Sequence, residues 1–466
     1  MAGAYRMPRG DSNRPDAVRG GRRHDSARAM TRISPGRFRK ALVVESPDPV
    51  LDTLLQAQGI EVDRRSAVPD EPQLADWLAS GGHDLLFKRS RVPVSREVVA
   101  AAPSLHAVVL CCIGDDSVDK RACADHGVLV FNDPVSNGRS VVELVIGHLI
   151  ALSRRLYETY DHTRAGGFDK SQNERFEVRG RVLGILGLGN IGRATARAAE
   201  ALGLRIIFFD TRPVALEVGV EMGWEAAPSM EALFRACDMV SVHVSAEDSR
   251  GRSNRALITR EHFMQLAADR PGTSPRLFLN LARGFLYDPA DLLAAIDAGA
   301  VRRAAVDVYP EEPRGSGPWE NPYAAQPRVA TTPHLGAATV DAQPRIARRV
   351  AQTVSAYSTR GAIRDCTLRP RLNLELAELS PGSALLAVVH STVRGSRKAV
   401  QDAIFESGAS NLSTVHQDFE DYGVAYDLLA LDRPLTDAQL AGIAAHAAAV
   451  TREPNAVRSL RQLLVD

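Results

Sequence analysis

The sequence predicts an α/β protein: two doubly wound lobes of parallel strands followed by a smaller α+β module. Three observations carry that expectation. Short β-branched apolar runs alternate with helical periodicity through most of the 466 residues, the pattern of crossover units feeding a parallel sheet. Midway, one such run opens into G-x-G-x-x-G and a helix, and an acidic residue closes the next apolar run. Beyond residue 384 the order becomes β-α-β-β-α-β, that of a ferredoxin-like module.

Residues 1–40 hold ten arginines and Lys40 against three aspartates, a net +8, so the remainder carries −7 of the overall +1. Rich in Gly, Pro, Ser and Arg, this stretch lacks the apolar residues to fold and reads as a disordered basic tail. It has no apolar run of a secretory signal, and an unstructured extension is favoured over a nucleic-acid arm. Strands are expected at 41–45, 60–62, 84–87, 106–112 and 128–131, with helices at 50–58, 96–102 and around 122–126. They form a first lobe over residues 41–136, joined by 331–357. A long helix marked by Asn137 and Ser140 opens a second lobe, 137–330. Residues 358–383 have little periodicity and read as a linker before the module at 384–466. No apolar run is long enough to span a membrane. The five cysteines (Cys111, Cys112, Cys123, Cys237, Cys366) lack zinc-type spacing and read as reduced thiols of the cytoplasm. No metal is expected.

The stretch 181–210, RVLGILGLGNIGRATARAAEALGLRIIFFD, organises the second lobe. Val182–Leu186 reads as a buried parallel strand. Gly187 permits a tight turn, Gly189 lets backbone N–H groups approach a pyrophosphate, and Gly192 lets the helix pack close to the strand. That helix, with Ile191, Ala194, Ala198 and Leu202 on one face, then aims its positive end at the phosphates. Asp210, about twenty residues beyond the glycines, can bind both adenosine ribose hydroxyls and repel a 2′-phosphate. The unit therefore predicts a Rossmann/flavodoxin-like lobe that binds NAD, although Arg212 weakens the discrimination against NADP.

Further strands at 240–244, 277–280 and 304–308 end near three polar residues. Arg283 lies in NLARG, Glu312 in DVYPEEP and His334 in TTPHLG. Singly, each is equally well a capped surface or core residue. Together they suffice for 2-hydroxy-acid oxidation. The guanidinium holds a substrate carboxylate, the imidazole takes the hydroxyl proton, and the carboxylate orients the imidazole and raises its pKa.

On these residues, and on KRSR, CIGDDSVD, FNDPVSNGRSVVELVIG and GILGLGNIG, residues 41–357 resemble the D-2-hydroxyacid dehydrogenase family. Within it the chain is most similar to the bacterial branch that oxidises 3-phospho-D-glycerate to 3-phosphohydroxypyruvate on the way to serine. The resemblance implies Arg283, Glu312 and His334 as the catalytic set and Asp307 on the nicotinamide amide. It also implies Asn190 and Ile191 near the pyrophosphate, with Leu281, Ala282 and Gly336 lining the cofactor. Arg89, Ser90, Arg91 and Gly114 would face the small-molecule substrate, and a basic turn suits an acid carrying about three negative charges. Two departures stand out. Ser245 replaces a proline of the relatives, and Asp115-Asp116 replace Thr-Asn, unhelpful beside an anion unless they point away.

The last module resembles an ACT domain, which in such enzymes binds serine as a feedback inhibitor. The relatives' H-E-N-R-P-G is HSTVRG here, keeping His390 and Gly395 but losing the asparagine, arginine and proline. Thr392 cannot replace both asparagine hydrogen bonds, and Asn411 sits one residue late. An amino-acid effector and a purely assembling role both remain open, and a homo-oligomer is expected. Two rival functions also stand: reduction of hydroxypyruvate, glyoxylate or another 2-oxo acid, and a non-catalytic NAD-sensing regulator. The complete Arg–Glu–His set argues against the second.

Overall fold

The computed structural model describes residues 31–248, 252–270, 272–313, 318–369, 372–376 and 382–465. The first thirty residues of the basic tail lie outside them.

The first lobe is a five-stranded parallel sheet in the order Glu61–Arg64, Lys40–Val43, Leu85–Lys88, Ala107–Leu110, Leu129–Phe131. Leu85–Lys88, Ala107–Leu110 and Leu129–Phe131 are buried throughout, as expected where helices cover both faces. The second lobe is a seven-stranded parallel sheet. Its order is Val329–Thr331, Arg303–Val306, Leu277–Asn280, Met239–Val242, Val182–Leu186, Arg205–Phe209, Glu225–Ala226. Strand order reverses between Val182–Leu186 and Met239–Val242, and a doubly wound sheet opens its ligand crevice at such a point. Because Val329–Thr331 pairs with Arg303–Val306, the chain leaves this sheet slightly later than residue 330.

The helix predicted from Asn137 breaks at Arg155, which adopts φ +58° between Gly138–Arg154 and Leu156–Arg164. The closing helix, Ala342–Arg360, returns to the first lobe, where Tyr357 packs between Phe38 and Phe131 with ring centroids 5.4 and 5.1 Å away.

The C-terminal module is antiparallel, with strands ordered Val457–Leu464, Ala384–Ser391, Val424–Leu431, Asn411–Phe419 and helices Ser396–Glu406 and Asp437–Thr451 against one face. Its other face shares a core with Ala342–Arg360 and the first lobe. Buried Arg461 fixes that contact, stacking 4.3 Å from Phe38 and 4.5 Å from Tyr357 and donating to the Tyr357 and Ser358 carbonyls.

Two expectations need correction. The basic tail is not unstructured to residue 40: Arg32–Pro35 forms a fifth strand, parallel to Val457–Leu464, on the C-terminal sheet. The edge of a sheet offers free N–H and C=O groups, so pairing overrides a composition that disfavours folding. Arg32 is buried and donates to the carbonyls of Val99, Ala102, Pro103 and His126, and its burial lowers its pKa to about 10. These acceptors cluster where the helices Arg96–Ala100 and Lys120–Asp125 end, the negative pole of each. Nor is 358–383 a bare linker. The helix continues to Arg360, and Ile363–Arg364 pairs with Asn373–Leu374. Backbone bonds from Asn132 to Asp365 and from Thr367 to Val130 tie this segment to the edge of the first sheet.

Candidate active site

The glycine turn has the shape of a phosphate cradle. Gly187 takes φ +94°, and a Cβ there would stand 2.9 Å from the His243 carbonyl on the neighbouring strand's exit. At Gly192 a Cβ would overlap the Gly187 carbonyl, so only glycine lets the helix Asn190–Ala201 close on the turn. Gly189, at the helix start, faces open space, which leaves its backbone approachable. Asn190 reaches the Pro134 carbonyl and accepts from Arg193 at 2.8 Å, while Ile191 is half-buried behind the turn.

Asp210 ends the second strand as a buried carboxylate. It accepts from Leu188 N at 2.8 Å, and Arg212 grips it through Nε at 2.9 Å and Nη2 at 2.6 Å. Burial alone would raise its pKa, but the Arg212 pair holds it below the usual carboxylate range. Glycine cradle and acidic strand end together fit a dinucleotide.

At the other end of the crevice His334 Nδ1 meets Glu312 Oε2 at 2.7 Å, and Glu312 Oε1 accepts from Tyr309 N at 3.1 Å. Burial would lower the imidazole's pKa, yet the Glu312 bond and its charge raise it above the ordinary value. Burial would likewise raise the carboxyl, and the His334 bond depresses it instead. His334 sits at φ +55°, a conformation that a non-glycine residue adopts at a cost of about 1–3 kcal/mol. Asp307 holds it there. Fully buried at a strand end, it takes Thr332 Oγ1 at 2.5 Å, Leu335 N at 2.7 Å and Gly336 N at 2.9 Å. Asp307 thus anchors the histidine loop; Oδ2, with one donor, keeps capacity for a further amide.

Arg283 follows Leu281 and Ala282 on a turn shaped by buried Asn280, whose amide donates to Arg283 O and whose carbonyl accepts from Ala282 N. Its guanidinium crosses the crevice to the first lobe. A Cβ on Gly114 would lie 2.6 Å from Nη2, so glycine is what lets the arginine lie there. Asn132 supports that loop by donating to Ile113 O at 2.6 Å. Arg89 stands half-buried beside Cys112, while Ser90 and Arg91 are exposed. Lys88 of the same motif turns inward, donating to Ser117 Oγ at 2.6 Å and Arg89 O at 2.8 Å, and pins the two loops together.

The two departures in the Gly114 loop point in different directions. Asp115 turns away to Lys120 at 3.0 Å. Asp116 does not: its Oδ2 takes Arg283 Nε at 2.7 Å. Sequence flagged this aspartate as a charge problem but not the partner it meets. Lys120 escaped the sequence reading altogether. It bridges Asp115 and Glu247, one on each lobe, and lies beside Tyr422 of the C-terminal module. Burial would lower its pKa, and Asp115 raises it. Nothing local in KRACAD marks that role.

Residues 146–336 match the model of the D-isomer specific 2-hydroxyacid dehydrogenase, NAD binding domain. The chain is 31% identical over 374 residues to D-3-phosphoglycerate dehydrogenase of Escherichia coli K12, spanning 80% of this chain and 86% of that one. It is 32% identical to D-3-phosphoglycerate dehydrogenase of Haemophilus influenzae, over 74% and 80% of the two chains. Among solved structures, the TT0316 protein of Thermus thermophilus superposes with a TM-score of 0.58 at 26% identity, covering 68% of this chain and 96% of that one. A glyoxylate reductase from Paecilomyes thermophila shares the fold, with a TM-score of 0.60 at 23% identity over 71% and 98%. With a strand order that opens an NAD crevice and relatives matched over most of their length, the chain belongs to the D-2-hydroxyacid dehydrogenase family and is an NAD-dependent dehydrogenase.

Proposed function

We propose that the chain oxidises 3-phospho-D-glycerate to 3-phosphohydroxypyruvate. The observation that carries the chemistry is the His334–Glu312 pair at 2.7 Å, opening on the same crevice as Arg283. Arg283 binds the substrate carboxylate and polarises the 2-oxygen, and His334 takes the hydroxyl proton at Nε2 while Glu312 fixes its tautomer through Nδ1. Bound NAD, held by Gly187, Gly189, Gly192 and Asp210, supplies the hydride acceptor. The basic Arg89–Arg91 turn serves the phosphate. The C-terminal β-α-β-β-α-β module acts as an ACT-like unit in a cytoplasmic homo-oligomer.

The Asp116–Arg283 contact favours a second reading, a less highly charged acid such as hydroxypyruvate or glyoxylate. NADH formation with 3-phosphoglycerate, set against NADH consumption with the two unphosphorylated 2-oxo acids, separates them. A higher kcat/KM for the unphosphorylated acids would sink the phosphate assignment. Repeating the assay with added serine tests the module. For the proton step, His334→Ala should reduce turnover by about 100-fold or more while NADH still binds; undiminished turnover would remove His334 from the chemistry.

A further inference from the structure

In the C-terminal module, outside the residues of the NAD crevice, three strands bring His390, His416 and Asp427 together. Asp427 stands opposite His416 in the register, and His390 lies diagonal to it, opposite Ala425. Their ligating atoms all fall within 4.8 Å of one another. Asp427 and His390 are buried, and His416, with a side chain 25% exposed, opens the cluster to solvent.

His390 Nδ1 faces the Ser391 carbonyl at 2.8 Å and its Nε2 faces Asp427 Oδ2 at 3.2 Å. His416 Nδ1 faces Asp427 Oδ1 at 2.5 Å and its Nε2 faces Asp418 Oδ1 at 3.3 Å. All four ring nitrogens therefore point at acceptors, yet two neutral imidazoles carry only two protons. With those protons on His390 Nδ1 and His416 Nε2, two lone pairs aim at one buried carboxylate. In those tautomers both lone pairs and the carboxylate oxygens converge on one point, the arrangement of a cation's donor set.

We propose that His390 Nε2, His416 Nδ1 and the Asp427 carboxylate bind a divalent transition-metal ion of the zinc class. Two imidazoles and one carboxylate are a donor set that such ions accept, with a further position left open toward solvent. The remaining nitrogens already have the outer partners such a site uses: the Ser391 carbonyl for His390 and the Asp418 carboxylate for His416. Arg397 Nε, 3.5 Å from Asp427 Oδ2, is the cation that faces this carboxylate when the ion is absent. Its side chain is 43% exposed, so it can withdraw as the ion enters.

The full chain, stripped with a chelator and titrated with Zn2+ alone by calorimetry, tests this. We expect one equivalent per chain that His416→Ala removes, with any binding elsewhere, including at His334 and Glu312, unchanged. Asp418→Ala should weaken that same equivalent about 10- to 100-fold. Co2+ in place of Zn2+ should give visible absorption bands that His416→Ala abolishes. Should His416→Ala fail to fold, His416→Gln takes its place. Equal Zn2+ stoichiometry and affinity in the parent and the His416 variant, or no Zn2+ bound by the parent, would overturn the assignment.

Discussion

Glu312→Gln is the most direct probe of the histidine pair. The substitution keeps the shape and a neutral oxygen for Tyr309 N but removes the charge facing His334 Nδ1 at 2.7 Å. A hydrogen bond to a charged group contributes about 1.5–3 kcal/mol, and a fully exposed ion pair about 0.2–1 kcal/mol. His334 and Glu312 lie between these limits, with side chains 46% and 34% exposed, so about 1 kcal/mol is the reasonable figure. At 1.36 kcal/mol per unit, that is about 0.7 of a pH unit. The sign follows from which form works. Oxidation needs the neutral imidazole, so kcat/KM climbs as pH rises through the His334 pKa, which Glu312 holds above its ordinary value. Losing the carboxylate lowers that pKa and moves the acidic limb about 0.7 of a unit to lower pH. At the plateau kcat should still fall about tenfold or more, because the tautomer and orientation are no longer fixed. The assay is the pH profile of kcat/KM for NADH formation in parent and variant. A limb that stays in place, or moves to higher pH, refutes the coupling.

Asp116→Asn should lower KM for the acid about fivefold, since a half-exposed pair of about 1 kcal/mol no longer competes for Arg283; steady-state kinetics at saturating NAD would read it, and a raised KM would mean that Asp116 positions the arginine instead. Asp210→Ala should weaken NAD about tenfold and improve NADP, because Arg212 loses the carboxylate it grips and can turn to a 2′-phosphate. The ratio of kcat/KM for the two cofactors measures this, and an unchanged ratio refutes it. Arg32→Ala removes a buried cation from four carbonyls and should destabilise the fold by about 2 kcal/mol, read as a shifted denaturant midpoint at unchanged slope. An unmoved midpoint would mean the N-terminal strand does not clamp the C-terminal sheet to the first lobe.

The sequence by itself determined the parts that depend on neighbours along the chain. Apolar runs specified most strands of both parallel sheets, though not the short edge strands Glu225–Ala226 and Val329–Thr331, and the spacing from Gly187 to Asp210 specified the dinucleotide turn, because a glycine turn and a crossover helix are local structures. Arg283, Glu312 and His334 were legible as candidates since each follows a strand end, where an open α/β sheet exposes its loops. What lies across elements was not legible. Asp116 could have pointed to solvent, and only the docking of one lobe on the other set it against Arg283. Arg32–Pro35 carries no strand signal of its own; it is a strand because Val457–Leu464 offers it an open edge. His390, His416 and Asp427 meet solely through strand register, and a slip of one residue would turn each to the opposite face. Periodicity along a chain encodes which elements form, but the partner of a side chain across a sheet or a crevice is fixed only when those elements pack.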